Sequence, residues 1–477
     1  MEPADRGGSD RPVGTHSQVS RRAFLGSAVV AATGVALSAT GIRSSSASAV
    51  SRPNATAKRV SGVGSRPNPR AAAGTDQLPK FDHIVVVMLE NHSFDNILGT
   101  LGKGDGFTLS KGGVPKATNP DGQGNLVHAF HMPTPCQLNA KPVQSWDASH
   151  LQYDNGTNQG FVTSPSGPVA MGYWTKADMP FTGGLAQTYP IADRYFGSVL
   201  AQTYPNRRYL MSGTSLGLIN DSLTKGLPPN GTIFNSLNKY NISWKNYYSS
   251  LPTTYIYIDQ ASDPAITKNI VKIGQFFTDC QSGTLPAFSL VDPDFGNSSE
   301  EDPQDIQYGD EFLASVVNAV TSGPNWSKTL LVWTYDEHGG YYDHVVPPRA
   351  VTPDDVPPDI TAATGGLGAL QQGGFDRYGF RVPAGLVSPY AKADYVSHVT
   401  YDHTSILKLV ETKWNLPAMT RRDAAAANLL DMVDFSSKPQ FLHPPTLPAP
   451  ANAAALAGCL TTGPGVIPPP SALSPAK

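Results

Sequence analysis

An α/β sandwich with a mostly parallel central sheet is the fold class the sequence predicts, and two observations predict it. Ile84-Val85-Val86-Val87-Met88-Leu89 and Thr329-Leu330-Leu331-Val332-Trp333-Thr334-Tyr335 are continuous apolar runs rich in β-branched residues. Strands buried on both faces of a parallel sheet read this way, because no side faces water. Such strands also alternate along the chain with stretches of helical pattern, the arrangement expected of an α/β domain.

Each element has its own justification. Ala287–Val291 and Val382–Val387 are shorter apolar runs and are expected as further strands. Tyr308–Val320 and Thr404–Trp414 carry helical periodicity, and Thr404 stands at a plausible cap position. The segments between Gly99 and Tyr189 are too long to be plain connections and are expected to form a cap or the walls of a cleft.

The ends of the chain differ from its middle. Ser20-Arg21-Arg22-Ala23-Phe24-Leu25 is a twin-arginine motif, followed by an apolar run over Ala28–Ala39 and small residues at Ala47-Ser48-Ala49. The run is too short and too rich in Ala, Gly and Thr for a stable membrane span, so residues 1–49 are expected to be an export signal rather than an anchor. Export in a folded state by the twin-arginine machinery suits an enzyme that acquires its metal before leaving the cytoplasm. The expected location is therefore secreted or cell-envelope. Residues 50–78, rich in Ser, Arg, Pro, Asn and Ala, are expected to be a flexible linker. Residues 79–440 form the expected domain, and the Pro/Ala-rich residues 441–477 a poorly ordered tail.

Charged residues make up 15% of the chain and the formal net charge is −3, without a long block of Lys or Arg, so no nucleic-acid partner is expected. Three cysteines, Cys136, Cys280 and Cys459, lack the C-x-x-C spacing of a zinc ribbon or redox pair. One disulfide and a free thiol fit an oxidising compartment, and the spacing does not name the pair.

Chemistry is expected beyond the carboxyl ends of the strands, where open α/β sheets bind ligands. The first strong strand runs into Glu90-Asn91-His92-Ser93-Phe94-Asp95, and the second into Asp336-Glu337-His338-Gly339-Gly340. Carboxylates beside a carboxamide or imidazole suit a divalent cation. Either cluster alone would more simply cap a following helix; two of them at two strand ends favour a metal site. A third element, Gln202-Thr203-Tyr204-Pro205-Asn206-Arg207-Arg208, places Pro205 as the first residue of a helix and Thr203 at or beside its cap. A hydroxyl at that end, facing free N–H groups and a metal, could attack phosphorus. Asn206 could donate to a phosphate oxygen. Thr203 as an ordinary cap is the simpler alternative for the motif alone, and Thr214 is the rival nucleophile.

Together, Met88–Asp95, Thr203–Arg207 and Tyr335–His344 resemble the motifs of the bacterial and plant phospholipase C family, which includes an acid phosphatase and belongs to the alkaline phosphatase superfamily. Pro383–Tyr390 and Tyr401–Ser405 resemble its C-terminal motifs, and the match runs from about Phe81 to Phe435. The resemblance implies an alkaline-phosphatase-like three-layer sandwich and cleavage of a phosphate ester through a phospho-enzyme. By position, Glu90, Asn91, Asp336 and Glu337 match metal-binding pairs for a divalent ion, and Thr203 matches the nucleophile. His150, His338 and His403 match active-site histidines, in roles of binding phosphate or protonating a leaving group. The implied substrate is a phospholipid or a small phosphate ester, met at a membrane surface only transiently; an inactive binding protein on the same fold is the alternative from another class. One departure stands out: Glu300-Glu301-Asp302-Pro303 replaces an E-H-P-like stretch, so one expected active-site histidine is absent.

Overall fold

The computed structural model describes residues 62–136, 142–302, 304–360 and 373–451. The expected export signal lies outside the described residues.

Eight strands form the central sheet: β1 (His83–Leu89), β2 (Ile191–Ala192), β3 (Trp244–Tyr248), β4 (Ile270–Lys272), β5 (Phe288–Asp292), β6 (Thr329–Tyr335), β7 (Ala384–Val387) and β8 (Val396–Ser397). Their order is β8-β2-β7-β6-β1-β5-β3-β4. β1 lies between β5 and β6, parallel to both, with Val85 opposite Leu331 on one side and Ser289 on the other. β3 and β4 continue the parallel run, whereas β7 is antiparallel to both of its neighbours. The mostly parallel sheet is thus as expected, with one reversed strand. Every residue of β1 from Ile84 to Leu89, and all of β6, is buried. Both faces of these strands are therefore covered, which is why their sequence shows no alternation.

Five helices position or brace the strand ends: α1 (Phe94–Leu98), α2 (Trp146–Tyr153), α3 (Thr203–Ser212), α4 (Ile306–Ser322) and α5 (His403–Trp414). The two helices expected near the C-terminal half lie inside α4 and α5. The cap of α5 is Asp402 rather than Thr404, its carboxylate and the Ser405 hydroxyl closing a reciprocal box. Among the described residues no helix is long and apolar enough to cross a membrane.

The linker expected over residues 50–78 is corrected from residue 62 onward: this stretch is a strap bound to the end of α5. Gly64, Gly74 and Gln77 donate backbone hydrogen bonds to the carbonyls of Ala418, Trp414 and Lys413 at 2.7–2.9 Å. Asn415 accepts from the Asn68 amide at 2.8 Å and donates to the carbonyls of Asn68, Ala71 and Ala72. Backbone pairing of this kind is blind to composition, so a polar, aperiodic stretch can be held as firmly as a strand. The start of the expected tail also packs: the ring of Phe441 lies 4.5 Å from that of Tyr189, and its carbonyl accepts from the Trp326 indole. Cys280 is a free, buried thiol and Cys136 is disulfide-bonded.

Candidate active site

At the carboxyl ends of β1 and β6 the chain makes two turns that interlock. Asn91 adopts a left-handed conformation (φ 66°), and Gly339 does the same in the facing turn. A Cβ on Gly339 would fall 1.8 Å from the Asn91 carbonyl oxygen, so only glycine lets the turns approach this closely. The Asn91 amide donates to Asp336 Oδ1 at 3.3 Å, which also accepts from the Glu337 amide at 2.8 Å. Neither acid caps a helix. Ser93 caps α1 by accepting from Asn96, and no helix directly follows Asp336.

Glu90, Asn91, Asp336 and Glu337 thus gather into one buried cluster, each no more than 4% exposed. Their outer polar atoms are left over: among the described residues, Glu90 Oε2, Glu337 Oε1 and both side-chain atoms of Asn91 have no hydrogen-bond partner. Unpaired buried polar atoms are costly, and several of them at two adjoining strand ends call for a partner. The donor set, carboxylates and a carboxamide, is the hard-oxygen set a divalent cation takes, so the residues fit the ion expected here. Burial pushes the carboxyl groups of Glu90 and Glu337 well above the usual range, and repulsion among neighbouring acids adds to it. A cation would reverse that preference.

The sequence motif holds a residue with a role that its pattern did not reveal, Arg207. Its guanidinium is buried and donates to Asp336 Oδ2 at 2.9 Å, lies 3.8 Å from Glu90 and 3.7 Å from Asp292, and stacks 4.9 Å above the Phe295 ring. Thr203 is one turn ahead of Arg207 on α3, hence on the same helical face. The α3 start differs slightly from expectation: Gln202 is the cap, Thr203 the first helical residue, and Pro205 the third. Pro205 still stands in the first turn, where its missing N–H leaves no bond broken.

Asn206 is corrected. Its Oδ1 accepts from the amides of Ser198 and Val199, and its Nδ2 donates to the carbonyls of Val199, Ala201 and Gln202. With every donor and acceptor spent on the loop before α3, it has nothing for a phosphate. Thr214, the rival nucleophile, gives its hydroxyl to Asp354 at 2.5 Å and borders a surface recess shared with Asp354 and Arg421.

The three histidines separate. His338 Nε2 meets Gln152 Oε1 at 2.7 Å, and Gln152 Nε2 is fixed by the Val143 carbonyl. That network makes Nε2 the protonated nitrogen and leaves the Nδ1 lone pair facing Glu337 Oε2 at 3.3 Å. His403 Nε2 donates to the Asp336 carbonyl at 2.6 Å, and its Nδ1 accepts from the Tyr195 hydroxyl at 3.3 Å. Both ring nitrogens being used, His403 positions the β6 turn, which corrects its expected part in proton transfer or phosphate binding. His150 turns its Nδ1 to the Trp146 carbonyl and stacks on that indole at 4.2 Å. Among the described residues no hydrogen bond or ion pair joins it to the four-residue cluster, so the structure does not tie this histidine to the metal-binding residues.

Where the family's histidine is missing, the Ser299 carbonyl accepts from the Glu90 amide at 2.9 Å, and Glu301 is among the acids that raise Glu90. The departure therefore falls beside the cluster. Elsewhere Asp95, Asp343 and His344 lie close enough to share an ion. Arg381 already occupies that role, bonding Asp95 at 3.1 Å and Asp343 at 2.8 Å.

The model of the Phosphoesterase family matches residues 81–417. The chain belongs to the phosphoesterase family. As a member it is a hydrolase of phosphate ester bonds. It is 31% identical over 429 residues to phospholipase C B of Mycobacterium tuberculosis, covering 77% of this chain and 81% of that protein. To the non-specific phospholipase C6 of Arabidopsis thaliana it is 31% identical over 401 residues, covering 76% and 74%. Among solved structures, an alkaline phosphatase superfamily protein of Vibrio parahaemolyticus aligns over 75% of this phosphoesterase and 72% of that chain, at 10% identity and a TM-score of 0.39.

Proposed function

We propose that this phosphoesterase is an exported phospholipase C that cleaves phospholipids to diacylglycerol and a phosphorylated head group, with Thr203 as nucleophile. The observation that carries the site is that buried side-chain oxygens of Glu90, Asn91 and Glu337, at the ends of β1 and β6, are left without hydrogen-bond partners. The choice of a phospholipid rests on the relatives named phospholipase C.

Glu90, Asn91, Asp336 and Glu337 would hold a divalent cation, and that ion, when bound, would supply positive charge to the phosphoryl-transfer site. Thr203 Oγ forms a bond to phosphorus as the bond to the diacylglycerol oxygen breaks, and that oxygen leaves as the alcohol after taking up a proton. Water then cleaves the phospho-threonine, releasing the phosphorylated head group and restoring the hydroxyl. His338, whose Nδ1 carries no proton, holds and returns the proton exchanged in these steps. Arg207 favours the charged forms of Asp336 and Glu90 against the effect of burial and holds the two acids in register. The twin-arginine motif at Arg21-Arg22 supports export.

Phosphatidylcholine and a simple monoester assayed side by side test the substrate: diacylglycerol release supports the proposal, and inorganic phosphate from the monoester alone favours an acid phosphatase. Thr203→Ala should lower turnover by at least about two to three decades without loss of fold. A folded, fully active Thr203→Ala protein removes the nucleophile from the scheme.

A further inference from the structure

The N-terminus of α3 already holds an anion supplied by the chain itself. Asp221, in the loop after α3, accepts from the Tyr204 amide through Oδ1 and from Gln202 Nε2 through Oδ2, each at 2.7 Å. Arg208 ties that loop to α3 by donating to the carbonyls of Asn220 and Ser222. Two donors converge on the two oxygens, which fixes the group as a carboxylate acceptor. Asp221 also repels charge on Glu337. It reaches solvent, whereas Glu90, Asn91 and Asp336 are buried and Thr203 is 8% exposed. The residue is exposed, and an exposed carboxylate is charged at a pH near 8. A negative charge therefore stands at the open side of the site, one residue from the amide of the proposed nucleophile.

We propose that Asp221 is a specificity-determining residue that disfavours dianionic phosphate monoesters relative to monoanionic phosphodiesters. The inference rests on the proposed phosphoryl position beside Thr203. A diester phosphoryl group carries one negative charge, and a monoester carries up to two near neutral pH because its second ionisation lies near pH 6. Both must approach a helix end whose Tyr204 amide is already engaged by Asp221. The second charge of the monoester meets an added repulsion that the diester does not, and in a partly solvated cleft one such charge at several ångströms is worth on the order of tenfold.

The test compares wild type, Asp221→Asn and Asp221→Glu on an aryl phosphate monoester and the matching aryl alkyl phosphodiester, at a pH of about 8 where Asp221 and the monoester are both fully ionised. Asp221→Asn should raise kcat/KM for the monoester about tenfold relative to the diester. Asp221→Glu, which keeps the charge, should retain the wild-type ratio, and added salt should shrink the difference between the Asn and wild-type proteins. An unchanged ratio in Asp221→Asn, or equal losses on both substrates in the two variants, overturns the proposal by reducing Asp221 to a structural loop residue. Asp221→Ser serves in the same comparison if the Asn variant does not fold. A fully active Thr203→Ala protein is a separate result, which would remove the phosphoryl position rather than the charge discrimination.

Discussion

Asn206 and Arg207 are neighbours in one motif, yet they serve different ends. The Asn206 carboxamide binds five backbone groups of the loop before α3. Asn206→Ala strands buried amides and carbonyls, so it should cost about 2–4 kcal/mol of stability by denaturant unfolding. Activity should fall with the folded fraction, not ahead of it. Arg207 faces Asp336, Glu90 and Asp292. Arg207→Met leaves those acids buried without their counter-charge and should cost about 3–5 kcal/mol. Millimolar divalent cation should recover part of that loss in a thermal shift measurement, because both charges relieve the same repulsion. An equal thermal shift in wild type and variant would mean that the ion binds elsewhere.

At the level of elements, the site depends on two strand-end turns pressed together. Gly339→Ala has to move the Asn91 carbonyl, which a Cβ would approach to 1.8 Å, and it also strains a φ of 66°. The expected cost is about 2–3 kcal/mol with loss of metal affinity, measured by unfolding and by titration calorimetry. A second pair of segments is joined by charge: α1 and the end of the β6 turn meet through Asp95, Asp343, His344 and Arg381. Burial opposes the charged His344 ring, but the hydrogen bond and charge of Asp95, helped by Asp343, prevail and raise it from 6.5 to about 9. A raised histidine contributes stability that is full below its unfolded pKa, and that contribution is lost as pH climbs through the folded one. The stability gap between wild type and His344→Gln should therefore be widest near pH 6 and close between pH 6.5 and 9. A gap that widens with pH would contradict this ion pair.

Across the entire domain, the chain preceding β1 closes the fold. The strap from residue 62 leans on Asn415, which has a left-handed φ of 51° at the end of α5 and bonds the strap through both side-chain atoms. Asn415→Ala should lower stability by about 1–3 kcal/mol in denaturant unfolding, since several hydrogen bonds lose their partner at once. It should leave kcat unchanged, as among the described residues the strap's hydrogen bonds run to residues 413–418 and to none of the carboxylates of the site. A lowered kcat at full folding would show that the strap reaches the chemistry.

The strands that carry the site, and most of the residues at their ends, are legible in the amino-acid order alone. Burial on both faces forces β1 and β6 into unbroken apolar runs, and Glu90, Asn91, Asp336 and Glu337 follow directly where those runs stop. Short strands such as β2 and β8, two residues each, leave too little periodicity to read. How the polar groups are used was settled by packing between distant segments. Whether Asn206 serves a ligand or a loop, whether His403 offers a free nitrogen, and which charge Arg207 answers depend on partners that other parts of the chain bring alongside. Hydrogen bonds and ion pairs are decided by distance in space, and spacing along the chain records only the part of that distance that lies within one element.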